Sequence, residues 1–203
     1  MPGGNVAVPG FGIEAAYFPM SEVGGDFYWT RAEADGALLV VVGDVSGKGL
    51  KAAMLVAVAV GAAGSAKAAS PAAVLSTINQ ALLGRTGGGF VTACCARFDP
   101  DGRVTIANAG HLPPYCDGQE LAVAGGLPLG LAADVAYEQA LLSGERFTFI
   151  SDGLVEAENA QRELFGFERA REISLKPARE IAEAAKAWGQ NDDITVVTVR
   201  RNG

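Results

Sequence analysis

The sequence predicts an α+β fold built on antiparallel sheets, and three observations carry that reading. Asp35-Gly36, Asp101-Gly102 and Asp117-Gly118 each separate two β-favouring runs, and Asp-Gly is the turn chemistry of a tight hairpin. Hairpins join antiparallel neighbours, whereas a doubly wound parallel sheet needs long crossovers. The apolar run at 38–42 leads through a glycine-rich turn into a long alanine-rich segment, which reads as a buried strand, a tight turn and a buried helix. The chain has 203 residues, of which 49% are hydrophobic and 19% charged. That supplies a large core, fits a single domain over 1–203 and excludes a disordered chain.

Residues 1–10, rich in glycine and proline, read as a loose lead-in. A strand is expected over 13–18, a turn over 19–25, and a second strand over 26–31, where Phe27, Tyr28 and Trp29 favour β structure. Asp35-Gly36 then turns the chain into the strand at 38–42. Asp26 therefore opens one strand and Asp44 closes the next, which places both carboxylates at the same edge of an antiparallel pair. Residues 48–65 read as a helix that is apolar on most faces. Ser70-Pro71 supplies an N-cap and a first helical residue for a second helix to about Leu83, with Val74, Leu75, Ile78, Ala81 and Leu82 toward the core. Gly87-Gly88-Gly89 breaks the chain before a strand over 90–98, and Asp101-Gly102 turns it back over 103–108. Tyr115-Cys116 forms a short strand ahead of Asp117-Gly118, and a glycine-proline loop spans 125–130. Strands follow over 137–142 and 146–150, then a short helix and an irregular connection over 154–166, a helix over 177–188, and a terminal strand over 194–199. No internal repeat and no linker divides the chain.

Composition removes several function classes. A net charge of −7 argues against nucleic-acid binding, which calls for a basic face. Cys94, Cys95 and Cys116 lack metal-ligand spacing and read as reduced thiols of a cytoplasmic protein; His111, the single histidine, leaves little for zinc. The first residues show no basic segment followed by an apolar run, so no signal peptide is expected, and the most apolar stretch, 52–63, is short of the ~20 residues that span a bilayer.

The chemistry gathers at strand ends. Asp44 sits where a strand gives way to Gly43-Asp44-Val45-Ser46-Gly47-Lys48-Gly49, whose glycines remove the Cβ atoms that would hold backbone and ligand apart. Turn amides at a helix N-terminus suit phosphate, and the Asp44 carboxylate suits a hard cation. Asp26, Asp152, and Asp192 with Asp193 occupy similar positions. An oxygen-only set suits Mg²⁺ or Mn²⁺, and two such ions ~3.5–4 Å apart can share a carboxylate and activate a water. Asp35, Asp101 and Asp117 are read as turn residues alone. The Gly-Lys-Gly run is not a phosphate-binding P-loop, because the required residue order is absent.

Six motifs occur in order through nearly the whole chain: Glu22-Val23-Gly24-Gly25-Asp26-Phe27-Tyr28, the stretch from Gly43 to Gly49, Asn108-Ala109-Gly110-His111, Gly126-Leu127-Pro128-Leu129-Gly130, Ser151-Asp152-Gly153 and Asp192-Asp193-Ile194-Thr195. Together they resemble the SpoIIE-like branch of the metal-dependent PPM serine/threonine protein phosphatases, the phosphatase-2C-like superfamily. The resemblance implies a four-layer α-β-β-α sandwich, two central antiparallel sheets flanked by helices. It implies two Mn²⁺ or Mg²⁺ ions. Asp44 would be shared by both, with the Val45 carbonyl helping to hold one. Asp26 would lie on the first ion, directly or through water, and Asp152 and Asp192 on the second. Asp44 and Asp26 are thus the expected catalytic carboxylates. Asp193 is expected to orient the ligands, with the choice between it and Asp192 left open. Glu156, one helical turn after Asp152, either supports the ligands or is a surface charge. Lys48 and Ser46 are candidate phosphate contacts, and Lys48 is equally a solvent-facing lysine.

The implied reaction is direct attack of a metal-activated water on the phosphorus of phosphoserine or phosphothreonine, with no phosphoenzyme. The phosphatase-2C branch has a histidine two residues after the shared aspartate; here that position is Ser46, a poor acid. General acid catalysis typically contributes ~10²–10⁴-fold, so a slow enzyme is expected. His111 reads as a turn-shaping residue with Asn108 rather than a base. The resemblance also implies a phosphorylated anti-sigma-factor antagonist as substrate in bacterial partner-switching signalling. No membrane contact is expected within this segment, and whether a sensor domain precedes it in a longer protein is left open. The alternative is a weak or inactive relative that binds phosphoproteins as a regulatory module. The presence of Asp26, Asp44, Asp152 and Asp192 together disfavours that alternative.

Overall fold

The structure, a computed structural model, describes residues 8–21, 23–67 and 70–202. Most of the expected lead-in, 1–7, lies outside the described residues, as does Glu22. The elements in order are β1 (Phe11–Phe18), β2 (Phe27–Ala32), β3 (Leu38–Val45), α1 (Leu50–Ser65), α2 (Pro71–Leu82), β4 (Val91–Phe98), β5 (Arg103–Ala109), β6 (Tyr115–Cys116), β7 (Gln119–Glu120), β8 (Gln139–Ser143), β9 (Arg146–Ile150), α3 (Asp152–Val155), α4 (Gly166–Ile173), α5 (Ala178–Gly189) and β10 (Ile194–Arg201). They gather into two compact units, neither continuous in sequence. One holds the chain up to Gly24, Leu112–Leu121 and the chain from Gly144; the other holds Gly25–His111 and Ala122–Ser143.

The Gly25–His111 unit is an antiparallel sheet in the order β2-β3-β4-β5-β8 with α1 and α2 packed on it. The Asp35-Gly36 and Asp101-Gly102 turns make the hairpins that the sequence announced. Strand β3 is buried on both faces, which is why its sequence is a continuous apolar run rather than an alternating one. Leu39 and Val41 meet Leu75, Ile78 and Leu82 of α2, and Ala52, Leu55 and Ala59 of α1, in one cluster. Burying each leucine or isoleucine contributes about 1.5–3 kcal/mol. Ser70 caps α2 as expected, its Oγ accepting from Ala73 N at 3.3 Å, with Pro71 in the first turn. Buried Asn79 on α2 clamps the glycine-proline loop: its Oδ1 accepts from Gly130 N at 2.7 Å and its Nδ2 donates to Ala132 O at 2.9 Å.

The other unit is a second antiparallel sheet, β1-β10-β9-β6-β7, with α3, α4 and α5 on one cluster of buried residues. Helix α5 turns Ala178, Ile181, Ala182 and Ala185 inward against β1 and β10, so the expected helix at 177–188 covers a core. The Asp117-Gly118 turn joins β6 to β7, with φ of 47° and 81° at its two central residues. Cys94, Cys95 and Cys116 are buried and form no disulfide, and burial pushes the Cys94 thiol up to about 12.

Four expectations need correction. Residues 48 and 49 are not helical, because Gly47 and Gly49 take φ of 109° and 76°, outside the helical region. Tyr137 and Glu138 precede strand β8, and Tyr137 instead enters the helix–sheet cluster. Val8, read as part of a loose lead-in, is buried and its carbonyl accepts from Phe11 N. Helix α4 was not expected at all: it is eight residues long, and Ala170 is its one fully buried side chain, so it has too little apolar repeat to read. Among the described residues no helix is long and apolar enough to cross a membrane.

Two stability outcomes follow from this packing. Asn79→Ala leaves Gly130 N and Ala132 O without their partner and is expected to cost about 1–3 kcal/mol, read as a lower urea midpoint at unchanged slope. Gly61, mid-α1, has nothing within 4 Å of an added Cβ, so Gly61→Ala is expected to raise stability by about 0.8–1 kcal/mol in the same assay.

Candidate metal centre

Strands β2 and β3 pair antiparallel with Phe27 opposite Gly43, so one step further along Asp26 comes opposite Asp44. A carboxylate oxygen of each lies within 4.8 Å of the other's. Asp26 is 3% exposed and Asp44 half-buried. The approach is set by backbone: Val45 N donates to Gly25 O at 3.2 Å. A Cβ on Gly25 would stand 2.8 Å from Val45 O and 3.1 Å from Asp44 Oδ1, so glycine is what lets residues 25 and 45 lie together. The donors in this unit, two carboxylates and the Val45 carbonyl, are all oxygen, which fits a hard divalent cation.

Beyond Asp44 the loop is pinned to the lead-in of β4. Ser46 N donates to Phe90 O at 3.0 Å, and Ser46 Oγ accepts from Phe90 N at 2.8 Å. Ser46 thus holds the loop, a role the sequence did not reveal. Lys48 is exposed on the same loop. Helix α1 begins after Gly49 with no side-chain cap on its first turn.

The other unit carries its own acidic group. Ser151 stitches the Ser151-Asp152-Gly153 motif to the start of β10: its N donates to Thr195 O at 3.0 Å, its Oγ accepts from Thr195 N at 2.9 Å, and its hydroxyl donates to Asp193 O at 3.3 Å. Gly153 lies so close to Asp193 O that a Cβ would overlap it. Asp152 is exposed and Asp192 half-buried; each holds its own loop through Oδ1, accepting from Gly153 N at 2.8 Å and from Asp193 N at 2.9 Å. Partial burial, then the charges of Asp152 and Asp192, hold the Glu156 carboxyl above its ordinary range. A cation among these three would relieve that repulsion.

Asp193 faces a different task. It is 6% exposed, its Oδ1 accepts from Met20 N at 2.8 Å, and a Cβ on Gly24 would overlap its carboxylate. It ties the 20–24 segment to β10, which fits a supporting carboxylate better than a ligand. His111 takes the expected structural place: its N donates to Asn108 Oδ1 and its carbonyl accepts from Asn108 Nδ2, both at 2.8 Å, while Nδ1 lies 3.0 Å from Thr92 Oγ1. Sequence reasoning missed the work of Gly24 and Gly25; the Gly-Gly pair just before Asp26 was the available signal.

A family profile described as Stage II sporulation protein E matches residues 34–202. Among solved structures, the chain is similar to the SiaA PP2C domain of Pseudomonas aeruginosa, with 25% identity over 94% of this chain and 86% of that one and a TM-score of 0.79. It is similar to the RsbU and RsbW domains of a Mycobacterium tuberculosis protein, with 25% identity over 96% of this chain and 61% of that one and a TM-score of 0.73. RsbX in complex with magnesium shares the fold at 16% identity, with 98% of this chain and 99% of that one covered and a TM-score of 0.74. No match is found among curated proteins.

Gly25→Ala pushes the Val45 carbonyl and Asp44 away from their present places. It is expected to weaken Mn²⁺ binding about 10–100-fold by calorimetry, the scale on which misplacing the supports of a metal ligand acts.

Proposed function

This chain belongs to the Stage II sporulation protein E (SpoIIE) family of PP2C-type phosphatase domains, and from that premise we propose that it hydrolyses phosphoserine or phosphothreonine on a partner-switching protein with the help of two divalent ions. The observation that carries the reading is the Asp26–Asp44 pair, two carboxylates set within 4.8 Å by strand register and a glycine. Asp26, Asp44 with the Val45 carbonyl, Asp152 and Asp192 would hold two Mn²⁺ or Mg²⁺ ions. Asp193 and Glu156 would support them, and residues 1–203 would act as one domain. Bound there, the ions would supply Lewis acidity and a water of lowered pKa.

The remaining work falls to side chains of this chain. Asp44 and Asp26 fix the donor geometry. Lys48, exposed on the loop after Asp44, offers a point charge to the phosphoryl group. Leaving-group protonation finds no histidine: His111 is the single one, and it is folded into the Asn108 turn. Ser46 Oγ is engaged by Phe90 N. A reaction without a side-chain acid depends steeply on how good the leaving group is. By the family resemblance, the physiological substrate would be a phosphorylated anti-sigma-factor antagonist, met in the cytoplasm.

The test is aryl phosphate hydrolysis with Mn²⁺, Mg²⁺ or chelator. Wild type is expected to turn over only with added ion, and Asp44→Asn to lose at least ~10²-fold in kcat, the scale of a lost electrostatic stabiliser. Nitrophenyl phosphate should react far faster than phenyl phosphate. Ion-independent turnover would overturn the reading, and no turnover at all would favour a phosphoprotein-binding module.

A further inference from the structure

Residues 45–98 contain no aspartate or glutamate, although the chain carries 23 acids and a net charge of −7. The same stretch carries Lys48, Lys51, Lys67, Arg85 and Arg97. Arg97 is engaged by Asp35 and Asp99, whereas the other four are exposed. This stretch forms α1, α2, β4 and the loops between them, so neither helix contributes an acid to the surface of an acidic molecule.

The apolar part is turned to water. Leu50 is 74% exposed and Met54, one helical turn on, 63% exposed, with Ala57 and Gly61 continuing the same line. Packing on the sheet does not need them, because Ala52, Leu55 and Ala59 do that on the opposite side of α1. The cations flank them: the Lys51 Nζ lies over Gly87, 2.5 Å from where a Cβ would stand, and Arg85 is two residues before it. Leu50 follows Asp44 by six residues along one continuous loop and helix.

We propose that the N-terminal half of α1, with the 85–89 loop, is the docking surface for an acidic segment of the phosphoprotein substrate. Apolar side chains of that segment would lie on Leu50 and Met54, and its carboxylates would face Lys51 and Arg85. The inference rests on the phosphatase reading and adds what surrounds the phosphoryl group. Charge complementarity beside a site speeds capture of a protein and fixes its register, whereas a small ester is too short to reach from the phosphoryl site onto Leu50 and Met54. An anionic bilayer is the rival occupant. Interfacial helices need many basic residues along the polar face, whereas α1 carries only Lys51.

Two synthetic phosphoserine peptides of equal length test this, one flanked by glutamate and leucine, the other by lysine and serine, with nitrophenyl phosphate as the small-ester control. Wild type is expected to show a KM about tenfold lower for the acidic peptide, an advantage that shrinks as salt rises. The exposed double variant Lys51→Glu/Met54→Glu should raise that KM about tenfold and leave kcat and nitrophenyl phosphate hydrolysis unchanged. Lys51→Gln alone should move it part of the way, with thermal midpoints of both variants near wild type. Equal KM values for the two peptides in wild type, or a variant without effect, overturn the proposal. Fluorescence anisotropy of the labelled acidic peptide reads docking apart from turnover. Binding lost in the double variant supports the surface even if no substrate is hydrolysed, and no binding in wild type contradicts it. Phosphatidylglycerol vesicles bound by wild type and not by the variant, without peptide discrimination, assign the face to lipid and also overturn it.

Discussion

Two carboxylates that repel each other are held side by side by backbone that cannot easily give way. With an oxygen of each within 4.8 Å of the other's, two ionised carboxylates would oppose one another by at least roughly 3 kcal/mol at an effective dielectric of about 20. Strand pairing carries that load: six residues of β3 pair with β2 and eight with β4, and β3 is buried along nearly its whole length. The register that sets Phe27 against Gly43 also sets Asp26 against Asp44. A stable core thus serves as the frame for an arrangement that is locally unfavourable until a cation joins it, and such conflict between local and global stability is typical of functional sites.

Much of this was legible in the residues. Asp-Gly turns announced the hairpins, and hairpin geometry alone put Asp26 and Asp44 at one sheet edge. Ser70-Pro71 marked the start of α2, and the alanine-rich stretch marked a helix at α1; the expectation that α1 is buried holds for one side only, since Leu50 and Met54 stand in water. The two antiparallel sheets with their helices are the components of the sandwich that the family resemblance implied. Helix α4 was not legible, because a charged eight-residue helix leaves no apolar rhythm. Nor was the fate of Tyr137, whose β-favouring ring joins a helix–sheet cluster through contacts distant in sequence.

The candidate site was legible in its chemistry and not in its supports. Carboxylates announce themselves at strand ends; the atoms that aim them do not. Gly24 and Gly25 matter through what a missing Cβ permits at Asp193 and at Val45, contacts set by tertiary approach. Ser46 was a candidate phosphate contact; its oxygen accepts from Phe90 N, a loop-holding bond the sequence did not announce, and its hydroxyl keeps a proton to donate. Asp193 sits beside Asp192 in sequence yet turns to Met20 N, so adjacent identical residues divide between an outward carboxylate and an internal strut. The distribution of charge was visible throughout: acids crowd the strand ends and vanish from 45–98.

The most direct measurement is anomalous diffraction at the manganese edge from crystals grown with Mn²⁺. Two peaks are expected, with Asp44 a ligand to both and Asp26, Asp152 and Asp192 completing the set. No peak, or manganese bound only by carboxylates elsewhere on the surface, would contradict a metal-holding role for the Asp26–Asp44 pair.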